Sequence, residues 1–393
     1  MKLGSSKKIQ QRSVELSHTL SRVESVMSVA GITRVGDLTD LDRVGIPVYS
    51  AIRPTAQGGA ISVYNGKGQS AEEAKVSAIM EGMERYSAEV RGDVLVRESV
   101  EEFMDNHVAI HPLDLILPQH TAYYVMQRPI AWTTGWELNG NEETWVPASA
   151  VFHPYVPKDD LPLFRTSTNG LACGNNLEEA ILHGLYEVIE RNDWSFAEGR
   201  RKVSGIEIPT SGVVKELVDK FTSQGINIYL KDLTTMGIPT IAAAADDTVL
   251  QDPALLSLGL GTHLDPQVAA IKALLEVAQS RLTQIHGARE DTTLMLQNRK
   301  LGYERMKRIN HMWLSSDTDR TLDDLPCHVT DDLFDDLQIV RALINSQGMS
   351  RTVVVNLTRR ELNIPVVRVI VPGMEVFAID EDRVGARLMG GFR

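Results

Sequence analysis

Residues 68–85 read GQSAEEAKVSAIMEGMER and residues 174–191 read GNNLEEAILHGLYEVIER. Aligned on the first glycine, they share one pattern. It runs Gly68-x-x-x-Glu72-Glu73-Ala74, six residues, Glu81-x-x-Glu84-Arg85, and again Gly174-x-x-x-Glu178-Glu179-Ala180, six residues, Glu187-x-x-Glu190-Arg191. A third segment echoes it from His263 through Ala269 to Glu276-x-x-Gln279-x-Arg281. Each is a glycine-bearing loop followed by a helix start. Ser70 with Glu73 reads as a capping box, Asn176 with Glu179 repeats the logic, and Asp265-Pro266 suits an N-cap and first helical position. Residues three apart on a helix share a face, so Glu81/Glu84 and Glu187/Glu190 form carboxylate pairs on helical walls. One such pair is commonly just solvated surface. The identical duplication, with apolar Met80, Met83, Val188 and Ile189 alongside, favours a shared functional site. Converging carboxylates repel unless a cation sits among them. Mg²⁺ carried by a nucleotide fits, because it takes oxygen ligands and completes its shell with phosphates and water. Arg191 and Arg281 follow the acidic or amide pairs as candidate catalytic cations facing the phosphates. Lys67, between two glycines, suits the same task, although the P-loop spacing is missing. The loop from Asn169 to Asn176 sets backbone amides at a helix N-terminus, a ready anion site.

The 393 residues carry 40 Lys+Arg against 52 Asp+Glu, a formal net charge of −12. That balance argues against nucleic acid or an anionic membrane as the default partner. A local cationic pocket can still hold ATP. Two cysteines, Cys173 and Cys327, exclude a disulfide scaffold and leave a zinc site short of ligands. Cys173 is either a small buried residue or a reactive thiol. No apolar run is long enough to span a bilayer, and the basic N-terminus is followed by no apolar signal region. A cytoplasmic protein is expected.

The pattern along the chain is mixed α/β (α+β), with repeated helix/sheet units. An amphipathic helix carries Val14, Leu16, Leu20, Val23 and Val26. Strands are expected at 46–52, 59–64, 226–230, 240–245, 352–357 and 366–371, and around Trp145, and the run 256–261 ends in a turn. The repeat helices are expected to reach about 91, 198 and 285. Residues 288–335 read as charged helix and loop. The organisation expected is an N-terminal helix and strands over 1–60 leading into one large domain over 61–393.

The stretches GKGQSAEEAKVSAIMEGMERYSAE, STNGLACGNNLEEAILHGLYEVIERND and GLGTHLDPQVAAIKALLEVAQSRLTQIHGARED resemble the YcaO family. The likeness spans roughly residue 10 to the end. TRVGDLTDLDRVGIPVYSAIRPTAQGGAISVY is similar to the methanogen-type subgroup linked to thioglycine formation in methyl-coenzyme M reductase. The resemblance implies a YcaO-type ATP-binding fold in which glutamates hold Mg²⁺ around the triphosphate. Carried over by position, Glu81, Glu84, Glu187 and Glu190 are the metal-binding set. Asn175 and Glu179 match the loop and helix start, Arg12 and Thr19 match N-terminal nucleotide contacts, and Arg191 and Arg281 contact phosphate. A loop position often holding Ser is here Ala172. The family chemistry implied is phosphorylation of a peptide amide oxygen, followed by attack of a nucleophile on the carbon. A side-chain nucleophile gives an azoline and external sulfide a thioamide. Azoline-forming members typically end in a proline-rich tail, whereas this chain ends Leu388-Met-Gly-Gly-Phe-Arg393, which favours thioamidation. A peptide or protein substrate, a TfuA-type sulfur-delivery partner and a homodimer are implied with it. His263, Glu290 and the C-terminal region are open candidates for a general base.

Overall fold

The computed structural model describes residues 1–9, 11–290 and 294–390. It holds three antiparallel sheets, each ending on a strand that feeds one of the repeat helices. The first sheet runs β1 (Arg34–Asp37), β2 (Val48–Ile52), β3 (Val63–Lys67). Of the second, β4 (Val96–Ser99), β5 (Pro129–Glu137), β6 (Glu142–Pro147) and β7 (Leu171–Cys173) come early in the chain. β8 (Ser204–Ile206), β9 (Ile226–Asp232), β10 (Thr240–Asp247) and β11 (Ser257–Thr262) form the third, in the order β11-β10-β9-β8. The late strands β12 (Val353–Asn356) and β13 (Val366–Ile370) return to the second sheet, ordered β4-β5-β12-β13-β7, with β6 on β5.

The repeat helices are Ala71–Ala88, Leu177–Arg200 and Pro266–His286, and they follow β3, β7 and β11. Their caps are the residues expected. Ser70 accepts from the amide of Glu73, Asn176 from that of Glu179, and Asp265 from that of Gln267. Each cap satisfies an otherwise unpaired helix N–H and sets the angle at which the helix leaves its strand. Two helices lie unusually close to their strands. A Cβ on Gly66 would stand 2.0 Å from the Ala78 amide nitrogen, and one on Gly261 2.2 Å from the Ala269 carbonyl. Small residues on both sides allow this approach, and the packed cores on the outer faces hold it.

Each helix also touches the edge strand of another repeat. Ala71–Ala88 reaches β7, Leu177–Arg200 reaches β11, and Pro266–His286 reaches β3. The three units therefore close into a ring, and their inner helical faces converge.

Element boundaries differ from expectation in two instructive places. The strand expected at 59–64 begins at Val63 instead, because Gly59 sits at φ 93° and Ala60 turns back to the Gln57 carbonyl. The Ala71–Ala88 helix stops three residues early, at a C-cap in extended conformation at Glu89. The 288–335 region forms short helices, Leu294–Leu301, Tyr303–Ile309 and His311–Leu314. Asp291, the last residue of the third quoted stretch, and the terminal Gly391-Phe392-Arg393 lie outside the described residues. No described helix is long and apolar enough to cross a membrane.

Candidate active site

The ring encloses a cavity of about 640 Å³. The repeat helices line it from equivalent positions. The first presents Ser77, Glu81, Glu84 and Arg85, and the second His183, Glu187, Glu190 and Arg191. The third presents Lys272, Glu276, Gln279 and Ser280. In each case the first residue stands four before the first acid, one helical turn below it on the same face. The strands add Lys67 and Cys173, each immediately before its repeat glycine, and Leu260. Arg12, Glu179 and Arg289 complete the charged lining. Six carboxylates (Glu81, Glu84, Glu179, Glu187, Glu190, Glu276) therefore face six cations (Arg12, Lys67, Arg85, Arg191, Lys272, Arg289).

Local pairing accounts for part of this balance. Arg85 donates to Glu81 at 3.0 Å, Lys67 pairs with Glu276, and Arg191 lies 3.7 Å from Glu190. The inner carboxyls remain strained for charge. Burial, with Glu187 and Glu81 adding like charge, pushes Glu84 up to about 8 against the pull of Arg85. Burial and Glu276 push Glu190 up to about 7, against Arg191. Glu187 is raised by burial as well. Burial also works to raise Glu276, but Lys67 and Arg191 outweigh it and hold that carboxyl low. Burial disfavours the charged form of Lys272, and burial together with Lys272 and Arg12 keeps His183 neutral. The donor set suits a hard cation: several carboxylates lack the full countercharge that would let them ionise. Among the described residues, no three Asp, Glu, His or Cys side chains gather tightly enough to cage a metal alone. A Mg²⁺ held here would draw part of its shell from phosphate oxygens and water.

The remaining expected site residues fall in two groups. Thr19 and Asn175 do not line the cavity. The Thr19 hydroxyl donates to Asn175 Oδ1 at 2.9 Å, and Asn175 Nδ2 donates to the Glu179 carboxylate at 3.0 Å. Ser13 donates to the same carboxylate through N and Oγ. These residues hold Glu179, and Arg12 beside them faces Glu73 at 3.6 Å.

Arg281 is a correction. It does not face the cavity: it is fully buried on the other side of its helix, donating to Asp42 at 2.8 and 3.1 Å and to Asp247 at 3.1 Å. The physical reason is angular. Arg85 and Arg191 directly follow the second acid, whereas Arg281 follows Gln279 by two residues, about 200° round the helix. Ser280 holds the equivalent position, and the arginine lining this wall is Arg289. His263 is likewise structural. It is 7% exposed, its Nδ1 accepts from the Asp265 amide, and it packs on Tyr186. Glu290, exposed, accepts from the amide and hydroxyl of Ser62. Cys173 lines the cavity with its thiol on the Met80 carbonyl, and burial beside Glu84 pushes that thiol well up, away from the thiolate form. The acid pairs were legible from spacing. Ser77, His183 and Lys272 were missed, although all stand one turn before the first acid of each repeat.

Residues 65–375 match the family described as YcaO cyclodehydratase, ATP- and Mg²⁺-binding. The chain belongs to the YcaO family. Two relatives agree along most of its length. A protein of Methanothermobacter thermautotrophicus is 48% identical over 96% of this chain and 98% of its own. A Rhizobium leguminosarum bv. trifolii protein, described as lying in the tfuA 3' region, is 32% identical over 93% of this chain and 89% of its own. Among solved structures, YcaO from Methanopyrus kandleri bound with AMPPCP and Mg²⁺ gives a TM-score of 0.81 at 28% identity, covering 98% of both chains. A heterocyclase in complex with substrate and cofactor gives 0.84 at 24% identity, over 96% of this chain and 55% of its own, and shares the fold. The YcaO family binds ATP and Mg²⁺, and the cavity of this member carries the carboxylates and cations such a ligand needs.

Proposed function

We propose that this YcaO protein performs ATP-dependent thioamidation of a peptide backbone, with a glycine of the methyl-coenzyme M reductase alpha subunit as target. The observation that carries the reading is the cavity itself, where duplicated carboxylate pairs and arginines from two repeat helices converge with Lys272 and Glu276 from the third. An amide carbon is a poor electrophile and its oxygen a poor leaving group. The γ-phosphoryl group passes to the amide oxygen and its bond to ADP breaks. Hydrosulfide adds to the carbon, a C–S bond forms, the C–O bond breaks, and phosphate leaves carrying the sulfur-bound proton. Arg191, Arg85 and Arg289 are the groups placed to offset phosphate charge, with Lys67. Glu81, Glu84, Glu187 and Glu190 would hold Mg²⁺, which neutralises phosphate charge when bound. The rest of the work is positioning. Glu179 is fixed for it by Ser13, Thr19 and Asn175.

Two likenesses favour thioamidation: one relative and one solved YcaO structure come from methanogens, and a Rhizobium relative lies in the tfuA 3' region. The latter supports a TfuA-type sulfide-delivery partner. We place the enzyme in the cytoplasm as a homodimer, with the target glycine reached before its protein folds. The family description favours azoline formation as the second reading. Intact mass after incubation of target peptide, protein, ATP, Mg²⁺ and sulfide separates them. Oxygen-to-sulfur exchange adds about 16 Da and dehydration removes about 18 Da by the activation chemistry. ATP- and sulfide-dependent gain is expected; loss would replace thioamidation by cyclodehydration.

A further inference from the structure

Behind the wall carrying Glu187 lies a second pocket, of about 60 Å³. It has room for a few waters or one small ion, and none for a nucleotide. Val188 lines it while Glu187 lines the large cavity, and Ser167 and Asn169 line it while Thr168 between them lines the large cavity. Adjacent residues of one loop and one helix thus line the two spaces.

Two buried arginines face this pocket, with Asp114 exposed at its rim. Arg368, on β13, is 3% exposed and stands among the buried Val366, Val367 and Val369. Its Nε donates to the Ala150 carbonyl at 2.8 Å and its Nη2 to the Ser167 carbonyl at 2.7 Å. Its Nη1 is buried with no partner. Arg383 donates to the carbonyls of Ile116 and Leu115 and stacks 3.8 Å from the Phe164 ring. Burial pushes both guanidinium groups down, to about 10 each. The carboxylate acting most strongly on Arg368 is Glu187, across the wall. On the same pocket, Asn169 Oδ1 is buried and unpaired. A buried cation with an unused donor, and an unused acceptor on a residue lining the same pocket, are costly unless a ligand completes both. The complement is a small anion that also carries a proton. Hydrosulfide accepts from the guanidinium through sulfur and donates its S–H to a carbonyl oxygen. Chloride and carboxylate can do only the first.

We propose that this pocket binds hydrosulfide and holds it beside the amide-activating cavity, which rests on the thioamidation reading above. The test uses the full-length protein and two variants, Arg368→Lys and the near-isosteric Asn169→Asp, which keeps the shape but adds negative charge. Both should raise the KM for sulfide by roughly tenfold or more, Arg368→Lys through loss of one charge-assisted hydrogen bond and Asn169→Asp through repulsion of the anion. The KM for ATP should stay at the wild-type value. Chloride serves as an independent probe: its NMR line should broaden with wild-type protein, sharpen when sulfide is added, and broaden less with either variant. An unchanged sulfide KM in folded Asn169→Asp, with thioamide still made, overturns the pocket and leaves the function standing. No chloride broadening beyond that of the variants, together with an unmoved sulfide KM, means the pocket holds water only and also overturns it. Broadening displaced by sulfide, with no thioamide formed under any condition, keeps the pocket as an anion site and overturns hydrosulfide as a nucleophile here.

Discussion

Replacing Arg281 by Met separates what the spacing suggested from what the fold does with this residue. Arg281 makes two hydrogen bonds to Asp42, at 2.8 and 3.1 Å, and one to Asp247, and none of its surface is exposed. Asp42 and Asp247 are 6% and 1% exposed, so removing the guanidinium strands buried charge. Breaking a buried pair from one side costs about 3–5 kcal/mol. The lower end applies, because Asp247 keeps Arg43 at 2.7 Å and the amides of Val249 and Leu250. Unfolding entropy of about 2.1 cal/mol/K per residue gives ~0.8 kcal/mol/K for this chain, so ~3 kcal/mol lowers Tm by about 4 °C. Thermal denaturation by circular dichroism reads that shift. Calorimetric titration with a non-hydrolysable ATP analogue and Mg²⁺ should give unchanged affinity for the folded variant. Arg289→Met should instead reduce that affinity roughly tenfold or more by loss of a charge-assisted contact. An Arg281→Met protein that melts like wild type yet fails to bind nucleotide would refute this assignment.

Three further outcomes follow from the same geometry. With Glu84 pushed up to about 8 and Glu190 to about 7, the empty site holds protons at pH 7, and a bound divalent cation should expel them. Titrations in buffers of different ionisation heat should show release on the order of one proton, with affinity rising from pH 6.5 to 8.5, roughly the span of these two groups; proton uptake, or flat affinity, would contradict the burial argument. Since these folded-state values lie above the ordinary carboxyl value of 4.5, the stability that these two groups contribute to the nucleotide-free protein should be fully present below that pH and lost as pH rises through about 8. Glu187→Gln and Glu190→Gln should abolish turnover while Tm stays at or above wild type, because each removes an underpaired buried carboxyl; full turnover in both would remove the carboxylates from the mechanism. Gly66→Ala, whose Cβ would stand 2.0 Å from the Ala78 amide, should cost about 1–3 kcal/mol by overpacking and lower Tm, and an unchanged Tm would show that the first repeat helix is not held against β3.

What the sequence made legible was local. The repeat period placed three helices with their caps, because capping needs only a side chain and the amide two or three residues on. It also placed Glu81, Glu84, Glu187, Glu190 and Arg191 on one cavity, since equal spacing on equal helices gives equal faces. Closure of the ring was not legible. It depends on each helix reaching the edge strand of another repeat, contacts between residues far apart in sequence. Arg281 went wrong for a related reason: a one-residue offset in the third repeat turns a side chain about 100° further round the helix and out of the cavity, where Asp42 and Asp247 wait from distant segments. Lys272 was the reverse case, a residue one turn from Glu276 whose inward face becomes apparent only once the walls are assembled. Thr19 and Asn175 belong to the site at one remove, as the hydrogen-bonded support of Glu179.

The most direct test of the account is the fate of the amide oxygen. A target peptide whose glycine carbonyl carries heavy oxygen should be incubated with this protein, ATP, Mg²⁺ and sulfide, and the inorganic phosphate analysed by mass spectrometry. Amide-oxygen phosphorylation predicts phosphate about 2 Da heavier, one labelled oxygen for each thioamide formed. Thioamide accompanied by unlabelled phosphate would show that ATP is spent elsewhere and would contradict amide activation in this cavity.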